Sequence, residues 1–409
     1  MKQISQNFYG NMTLRNLAIS HRIVTIPGNH ARRMKILIVT DAWRPQTNGV
    51  VSTLSHTLDC LRDFGHAVQL ITPVGFRTVA CPSYPEIRLA VFPGRKVARA
   101  IEAFAPDAVH IATEGSLGMA ARRYCLRRGL YFTTSYHTQF PQYLRSRLPI
   151  PLRLTYRWLR HFHGAARVCM VSTTTLQSEL ERWGFRNVAR WQRGVDTRLF
   201  RPQSKQFLDL PRPIAVYVGR VAIEKNIDAF LKMAWPGSKL VVGDGPERVR
   251  LQASYPDAVF TGYRFGEDLA SHLAAGDVFV FPSRTDTFGL VNLEAMACGL
   301  PVAAYPVTGP IDVIEDGVTG ALEENLARAA HRALRLDPAA CRARALRSSW
   351  ERCTREFESN LTSLRTGTPL LATPSTSLQG SPQHPHRGFE AVTCMFDGRM
   401  HSFRTIMGP

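Results

Sequence analysis

Short apolar runs alternate along the chain with longer segments in which apolar residues recur at helical spacing. Residues 35–40 form a continuous apolar run, typical of a strand that is buried on both faces of a parallel sheet. The next segment has Leu54, Leu58 and Leu61 at helical spacing, and Gly65 follows where a helix C-cap is expected. The pattern predicts further strands at residues 68–72, 108–111, 131–134, 168–171, 214–218, 239–242, 259–260, 278–281 and 301–304. Strands that alternate with helices in this way indicate parallel sheets flanked by helices.

A proline-rich stretch divides the series into two halves. Residues 202–213 contain three prolines and are typical of an interdomain linker. We therefore predict an α/β protein of two Rossmann-like domains, with an arginine-rich helical segment at residues 338–364 that ends the second domain and crosses back to the first. The predicted segments are an unplaced extension at 1–33, a first domain at 34–202, a second domain at 203–365 and a mostly disordered tail at 366–409.

The formal charge of +19 is distributed unevenly between the two halves. Residues 34–200 contain 23 Lys and Arg against 10 Asp and Glu, a net charge of +13. Residues 201–350 contain 17 of each kind, a net charge of zero. Because a lopsided charge marks a face for anionic partners, we expect such partners to bind the first half.

Composition excludes several classes of protein. The chain is 44% hydrophobic, yet no apolar run approaches the ~20 residues that cross a bilayer. Residues 1–33 contain no apolar stretch followed by a small-residue cleavage site, which argues against secretion. The eight cysteines include no C-x-x-C pair, so neither a disulfide framework nor a zinc site is predicted. We expect a protein of the reducing cytoplasm.

A basic segment in the first half has a surface-helix pattern. Residues 145–163 interleave five arginines with apolar and aromatic residues, among them Trp158 and Phe162. At helical spacing this mixture predicts a basic amphipathic helix that docks on an anionic membrane. The alternative is that the apolar side packs on the domain and the arginines are solvated. No nucleic-acid-binding signature is present, so no nucleic-acid partner is expected.

Candidate chemistry lies at strand ends, because doubly wound sheets bind ligands beyond the carboxyl ends of their strands. In the first half, Asn48-Gly49-Val50 precedes the helix after the first strand. A residue without a side chain lets the backbone and the helix N-terminus approach an anion closely. The alternative is an ordinary Asn-Gly turn.

Two cations follow the first strand of the second half. Arg220 and Lys225 are five residues apart at a strand-to-helix turn, a spacing at which they can bind a diphosphate together. The alternative is a surface ion pair of Lys225 with Glu224 or Asp228.

The longest local motif spans residues 281–302. A buried strand ends at Pro282, and a loop then leads into a helix that Gly299 closes. The loop brings the N–H groups of Phe288, Gly289 and Leu290 to the helix N-terminus, where an anion can bind. Two carboxylates, Asp286 and Glu294, stand before and within this helix. The alternative role for Asp286 is to cap the helix.

Together the motifs resemble one enzyme family, the retaining nucleotide-sugar glycosyltransferases of the GT-B fold (family 4, group 1). The resemblance covers about residues 34–365. It rests on four motifs in the same order along the chain: Asn48-Gly49-Val50, Gly219-Arg220, Glu224-Lys225 and Asp286-x7-Glu294. Within the family, the segment 281–291 and Ser135-Tyr136-His137-Thr138 are most similar to GDP-mannose-dependent α-mannosyltransferases and to sulfoquinovosyl or glucosyl transferases that act on diacylglycerol-type lipids.

The resemblance implies roles for individual residues. It implies that the donor diphosphate binds to Gly49, Arg220, Lys225, Phe288, Gly289 and Leu290. Glu294 is then expected to bind the ribose, and His137 and Asp286 to be the catalytic residues beside the transferred sugar. Asp286 stands where the broader family usually has Glu. Asp196, in Arg193-Gly194-Val195-Asp196, matches the interdomain segment and is expected to be structural.

The implied activity is transfer of a hexose from GDP-mannose or a UDP-sugar to a membrane lipid or lipid-linked acceptor. The donor is a co-substrate, and neither a cofactor nor a metal is expected, since no D-x-D run or metal-ligand spacing occurs. The enzyme is expected to be peripheral on the inner face of the membrane. Two alternatives stay open: a nucleotide-sugar 2-epimerase of the same architecture, and a catalytically impaired nucleotide-sugar-binding protein.

Overall fold

A computed structural model describes most of the chain between residues 33 and 371. The described residues are 33–46, 48–81, 84–139, 141, 150–371, 393–396 and 399–402. Of the basic segment predicted at 145–163, Arg145 and Arg147 lie outside these ranges, as does most of the tail predicted to be disordered.

The first sheet has six parallel strands in the spatial order β2-β1-β5-β6-β7-β8. Its strands are β1 (Lys35–Val39), β2 (Ala67–Ile71), β5 (Ala108–Ile111), β6 (Thr133–Ser135), β7 (Val168–Val171) and β8 (Val188–Arg190). A separate antiparallel hairpin follows β2 and consists of β3 (Thr78–Cys81) and β4 (Tyr84–Ala90). The helices between these strands are α1 (Gly49–Asp63), α2 (Gly94–Phe104), α3 (Ser116–Arg127), α4 (Leu152–His163) and α5 (Thr174–Arg182).

The second sheet repeats the architecture with six parallel strands in the order β11-β10-β9-β12-β13-β14. Its strands are β9 (Ala215–Val218), β10 (Lys239–Val242), β11 (Val259–Gly262), β12 (Val278–Phe281), β13 (Val302–Ala304) and β14 (Gly320–Leu322). The helices are α6 (Ile227–Lys232), α7 (Arg248–Ser254), α8 (Gly266–Ala274), α9 (Leu290–Ala297), α10 (Pro310–Val313), α11 (Leu326–Ala333), α12 (Pro338–Leu346) and α13 (Trp350–Asn360). The predicted fold class of two parallel α/β sheets is therefore confirmed.

The predicted return of the C-terminal helical segment to the first half is also confirmed, and the segment consists of two helices. Helix α12 packs into the core of the second sheet, and α13 packs against α1 and the core of the first. The helical conformation is interrupted between α12 and α13. The carbonyl of Ser348 accepts a hydrogen bond from Val195 N, and the Ser349 side chain caps α13 by accepting one from Arg352 N. Residues 350–364 of the predicted second domain thus contribute to the core of the first sheet.

The other differences from the sequence pattern are local. Strands β8 and β14 are three residues long, and the β3–β4 hairpin lies outside the parallel sheets, so the apolar periodicity did not predict them. Strand β6 begins two residues later than predicted, since Tyr131 is exposed and its N–H donates to Leu364 O instead of to a strand. An antiparallel pair, β15 (Thr393–Phe396) with β16 (Arg399–Ser402), lies within the segment predicted to be disordered.

Candidate active site

The carboxyl ends of β9 and β12 bring a cation and a carboxylate together. Lys225 ends a single 3₁₀ turn after β9, and its Nζ lies 2.6 Å from Oδ1 of Asp286. The turn is held at the β12 end, because the Asn226 amide donates to Pro282 O (3.1 Å). Of the two alternative partners for Lys225, Asp228 pairs with Lys232, and Oε1 of Glu224 lies 3.7 Å from Arg220.

Arg220 approaches the same region from the turn that follows β9. Its Nη1 is 3.7 Å from Oε1 of Glu224, and its carbonyl accepts a hydrogen bond from the Tyr217 hydroxyl (2.8 Å). Burial raises the pKa of Tyr217, whose hydroxyl also interacts electrostatically with Lys225 and Asp286. The buried hydroxyl of Tyr217 thus holds the backbone of Arg220 and lies within electrostatic reach of Lys225 and Asp286. Tyr217 was not among the predicted site residues, although a tyrosine within the otherwise aliphatic strand β9 is a visible sequence signal.

The start of α9 has the geometry predicted for an anion site. Gly289 precedes the helix with φ of 77°, a left-handed conformation that favours glycine. No side chain caps this end, so the capping alternative for Asp286 is not realised. Within the described chain, the N–H groups of Phe288, Gly289 and Leu290 donate to no protein acceptor. These donors and the positive end of the helix dipole therefore face a ligand or solvent.

Glu294 follows Leu290 by about one turn of the same helix. Its side chain keeps part of its surface exposed, while the surrounding protein raises the pKa of its carboxyl to about 7. No described side chain donates a hydrogen bond to it. A carboxyl group that is desolvated and has no protein donor is suited to bind hydroxyl groups of a ligand.

Buried polar atoms without protein partners are concentrated in the loop before α9 and in its first turn. Among the described residues, these atoms include Ser283 Oγ, Thr285 Oγ1, Asp286 Oδ2 and both amide atoms of Asn292. Since buried polar groups are nearly always hydrogen-bonded, such a concentration is expected where a polar ligand completes the bonding.

The first sheet reaches this site through the start of α1. Asn48 is the N-cap of α1, and its Oδ1 accepts from Val50 N and Val51 N. These two amides are therefore not available to an anion, and the Asn-Gly pair is a helix start and not a free turn. A methyl group built on Gly49 would lie 3.6 Å from Leu290 Cδ1, so Gly49 meets the start of α9 across the two sheets.

His137 joins the two halves through its backbone. Thr287 Oγ1 donates to His137 O (2.7 Å), and Ser172 Oγ donates to Thr287 O (3.1 Å). The loop that contains Asp286 therefore contacts the carboxyl end of β6.

Both ring nitrogens of His137 have protein partners. Ser135 Oγ lies 3.0 Å from Nε2, and the guanidinium of Arg193 lies 3.3 Å from Nδ1. Burial, together with the charge of Arg193, holds the pKa of His137 well below its usual range. In the protein without ligand both ring nitrogens therefore have protein partners, and the backbone carbonyl of His137 contacts the loop that contains Asp286. Arg193 was not predicted as a site residue, since its contact is visible only in the tertiary structure.

Asp196 has a local role, as expected. Its Oδ1 accepts from Arg198 N and Leu199 N and closes a turn in the segment between the sheets. No group of three or more potential metal ligands occurs among the residues that the structure describes. No helix in that part of the chain is long and apolar enough to span a membrane.

Two family models match the chain in succession. Residues 47–199 match "Glycosyltransferase Family 4", and residues 212–336 match "Glycosyl transferases group 1". A GDP-mannose-dependent alpha-mannosyltransferase of Mycobacterium tuberculosis is 35% identical over 316 residues, which cover 71% of this chain and 83% of that protein. The sulfoquinovosyl transferase SQD2 of Arabidopsis thaliana is 29% identical over 67% of this chain and 60% of that protein.

Solved structures show the same fold at lower identity. Sucrose-phosphate synthase from Thermosynechococcus elongatus matches with a TM-score of 0.63 and 22% identity, over 80% of this chain and 97% of that one. HepE of Anabaena, in complex with UDP and glucose, matches with a TM-score of 0.61 and 17% identity, over 80% of this chain and 98% of that one. The chain therefore belongs to the family 4, group 1 glycosyltransferases, and it is a glycosyltransferase with the GT-B fold.

Proposed function

We propose that the protein transfers a hexose from a nucleotide diphosphate sugar to a membrane lipid or lipid-linked acceptor, with GDP-mannose as the first donor to test. The observation that carries this proposal is the 35% identity over 83% of a GDP-mannose-dependent alpha-mannosyltransferase. UDP-sugars are the second donor class, because the similar SQD2 is a sulfoquinovosyl transferase and the similar HepE structure contains UDP.

The donor diphosphate is proposed to bind where the two halves meet. Arg220 and Lys225 supply positive charge, and the N–H groups of Phe288, Gly289, Leu290 and Gly49 complete the site. Glu294 accepts hydrogen bonds from the ribose. Asp286 contacts hydroxyls of the transferred sugar, while its ion pair with Lys225 keeps this carboxylate beside the phosphate ligands.

The chemistry requires that charge on the leaving diphosphate be neutralised. The acceptor oxygen forms a bond to the anomeric carbon as the bond from that carbon to the phosphate oxygen breaks, and the electron pair leaves with the nucleoside diphosphate. A phosphate oxygen takes the acceptor proton. Cationic side chains and the α9 dipole stabilise the departing charge, so we propose a reaction without metal or cofactor, and with retention of anomeric configuration.

The acceptor is proposed to lie against the first half, whose net charge is +13 over residues 34–200. Helix α4 is part of this surface. Leu154 and Trp158 are 58% and 41% exposed on it, next to the exposed Arg157, while Tyr156 and Leu159 pack inward. An exposed apolar pair with adjacent arginines fits a peripheral contact with an anionic membrane.

Donor choice can be tested by thermal shift and transfer. The protein is heated with GDP-mannose, UDP-glucose, UDP-glucuronate or UDP-sulfoquinovose, and a true donor at a hundredfold excess over Kd stabilises it by about 2.7 kcal/mol. Label from that donor should then enter an organic extract in the presence of lipid acceptors, and chelation of divalent ions should not reduce the rate. Release of an epimerised sugar without acceptor, or binding without turnover across the lipid panel, would contradict the proposal.

Membrane docking can be tested by vesicle flotation. Wild-type protein is expected to float with anionic vesicles at low salt, and Trp158→Ser is expected to reduce that fraction. Val249→Ser is the matched control, since Val249 is 82% exposed in the half with no net charge. Equal binding to neutral and anionic vesicles would rule out the proposed docking surface.

A further inference from the structure

A chain of hydrogen bonds runs from Arg193 through the first sheet. Arg193 lies 3.3 Å from Nδ1 of His137, whose Nε2 is 3.0 Å from Ser135 Oγ. Ser135 Oγ is 2.8 Å from Nε2 of His110, and Nδ1 of His110 is 2.9 Å from Thr133 Oγ1. Because each member is buried or half-buried, the protons in this chain have few alternative positions.

The chemistry of Arg193 fixes the direction of every bond. A guanidinium only donates, so Nδ1 of His137 accepts and the proton of the neutral ring is on Nε2. Nε2–H then donates to Ser135, and the Ser135 hydroxyl donates to Nε2 of His110. His110 in turn has its proton on Nδ1 and donates to Thr133. Burial, with a smaller contribution from Arg193, lowers the pKa of His110 to about 3, which agrees with a neutral ring.

Arg193 is held rigidly at the crossing between the two halves. A methyl group built on Gly194 would lie 2.5 Å from Trp350 N, and Val195 N donates to Ser348 O (2.9 Å), so the backbone has little freedom. The guanidinium stacks over Trp191 at 4.3 Å and donates to Gln192 O (2.9 Å). Burial lowers the pKa of Arg193 to about 10, which leaves it protonated at neutral pH.

We propose that Arg193 is a positioning residue: it fixes His137 as the neutral Nε2–H tautomer and so keeps Nε2–H as the donor that this ring offers to the transferred sugar. The inference rests on the proposed function in that His137 lies beside the sugar. In the protein without substrate the Nε2–H donates to Ser135, and a sugar hydroxyl replaces Ser135 as the acceptor when the donor binds.

The proposal has a consequence for pH dependence. The charged or titratable groups that act on His137 are Arg193, His110 and His163, and His163 is itself paired with Glu114 (3.0 Å). Burial lowers the pKa of His137 the most, and each of the three groups lowers it further. Removing the Arg193 charge therefore raises the pKa of His137, and the ring takes up a proton at a higher pH than in the wild type.

The first measurement reads the His137 ring directly, by NMR of protein with ¹⁵N-labelled histidine, with His137→Gln to assign the signals. In the wild type we expect an unprotonated Nδ1, a protonated Nε2 and no titration near the ordinary pKa of a histidine. Arg193→Met should make Nδ1 titrate at higher pH or mix the tautomers, whereas Arg193→Lys, which keeps a donor and a charge, should retain the wild-type pattern. An unchanged His137 spectrum in Arg193→Met would overturn the inference.

Kinetics supply the second measurement. The ratio of Arg193→Met to wild-type kcat should fall as the pH is lowered from about 8 to about 5.5, since only the variant loses the neutral ring. A merely structural role would give the same ratio at every pH. If Arg193→Met does not fold, the same NMR measurement on Ser135→Ala tests the proposal. Nδ1 of His137 should stay unprotonated in that variant, and a proton on Nδ1 would refute control of the tautomer by Arg193. If no sugar nucleotide is turned over, the proposed function fails while the NMR result stands independently.

Discussion

The Lys225 ammonium and the Asp286 carboxylate form an ion pair at 2.6 Å that joins the carboxyl ends of β9 and β12. The first residue is the proposed phosphate ligand and the second the proposed sugar ligand. Each side chain is about four-fifths buried, so the pair sits in a setting where solvent screens charge less than at the surface. This relationship makes Lys225 the most informative position to change.

Lys225→Met should reduce kcat/KM by about 10²–10³, because the variant loses positive charge at the leaving group and leaves Asp286 unpaired. Lys232→Met is the matched control, since Lys232 is an exposed lysine that pairs with Asp228 on the adjacent helix α6. That control should stay within about twofold of the wild type. Steady-state kinetics with the identified donor measure both, and a loss in Lys225→Met no larger than in the control would exclude Lys225 from diphosphate binding.

Donor affinity should depend on pH through Glu294. Its carboxyl has a pKa of about 7 in the free protein, and only the ionised form is a full acceptor for ribose hydroxyls. Affinity should therefore rise with pH through this value and be about tenfold weaker at pH 6 than at pH 8. Calorimetry at several pH values measures this, with Glu294→Gln expected to bind weakly and without the pH dependence. A wild-type affinity that is constant over this interval would argue against ribose binding by Glu294.

Two glycine substitutions should separate binding from stability. In Gly49→Ala the new methyl group makes an ordinary contact of 3.6 Å with Leu290, so stability should be maintained while KM for the donor rises about tenfold or more. In Gly194→Ala the methyl group would lie 2.5 Å from Trp350 N, so unfolding should become easier by about 1–3 kcal/mol. Thermal unfolding and donor kinetics on both variants check this contrast. Unchanged KM in Gly49→Ala would remove Gly49 from the donor site.

The attachment of α13 to the first sheet should depend on Glu358. Its Oε1 lies 2.7 Å from Nε2 of His66, with both side chains fully buried, and Met34 N donates to the other ring nitrogen. Glu358→Ala should lower the free energy of unfolding by about 3 kcal/mol, because His66 and Arg355 lose their partner. Glu351→Ala, at an exposed position of the same helix, is the control and should change the free energy of unfolding by less than about 0.5 kcal/mol. Denaturant unfolding measures both, and similar losses would show that the buried pair contributes little.

Sequence reasoning was strongest where a local pattern sets the structure. The buried strands and the start of α9 follow from apolar runs and from a glycine at a left-handed position, and these are properties of short segments. It was weaker where a partner comes from far along the chain. Spacing suggested an ion pair of Lys225 with Glu224 or Asp228, but it did not suggest the pair that Lys225 forms with Asp286, 61 residues away.

The contacts of His137 likewise depend on a residue that is distant in sequence. Motif resemblance singled out His137 among 13 histidines, but its two ring contacts depend on Ser135 in its own strand and on Arg193 at the crossing between the halves. Nothing in the sequence near residue 193 indicates which ring it reaches.

The amino-acid sequence by itself determined the two series of strands and helices, the asymmetric charge and the motifs that identify the family, because each is encoded within a few tens of residues. Tertiary structure alone decided that Gly49 meets Leu290, that α13 breaks away from α12 to pack on the first sheet, and that Arg193 orients His137. The physical reason is that these contacts join residues distant in sequence. Their geometry is set by how the two sheets pack and by where the chain crosses between them.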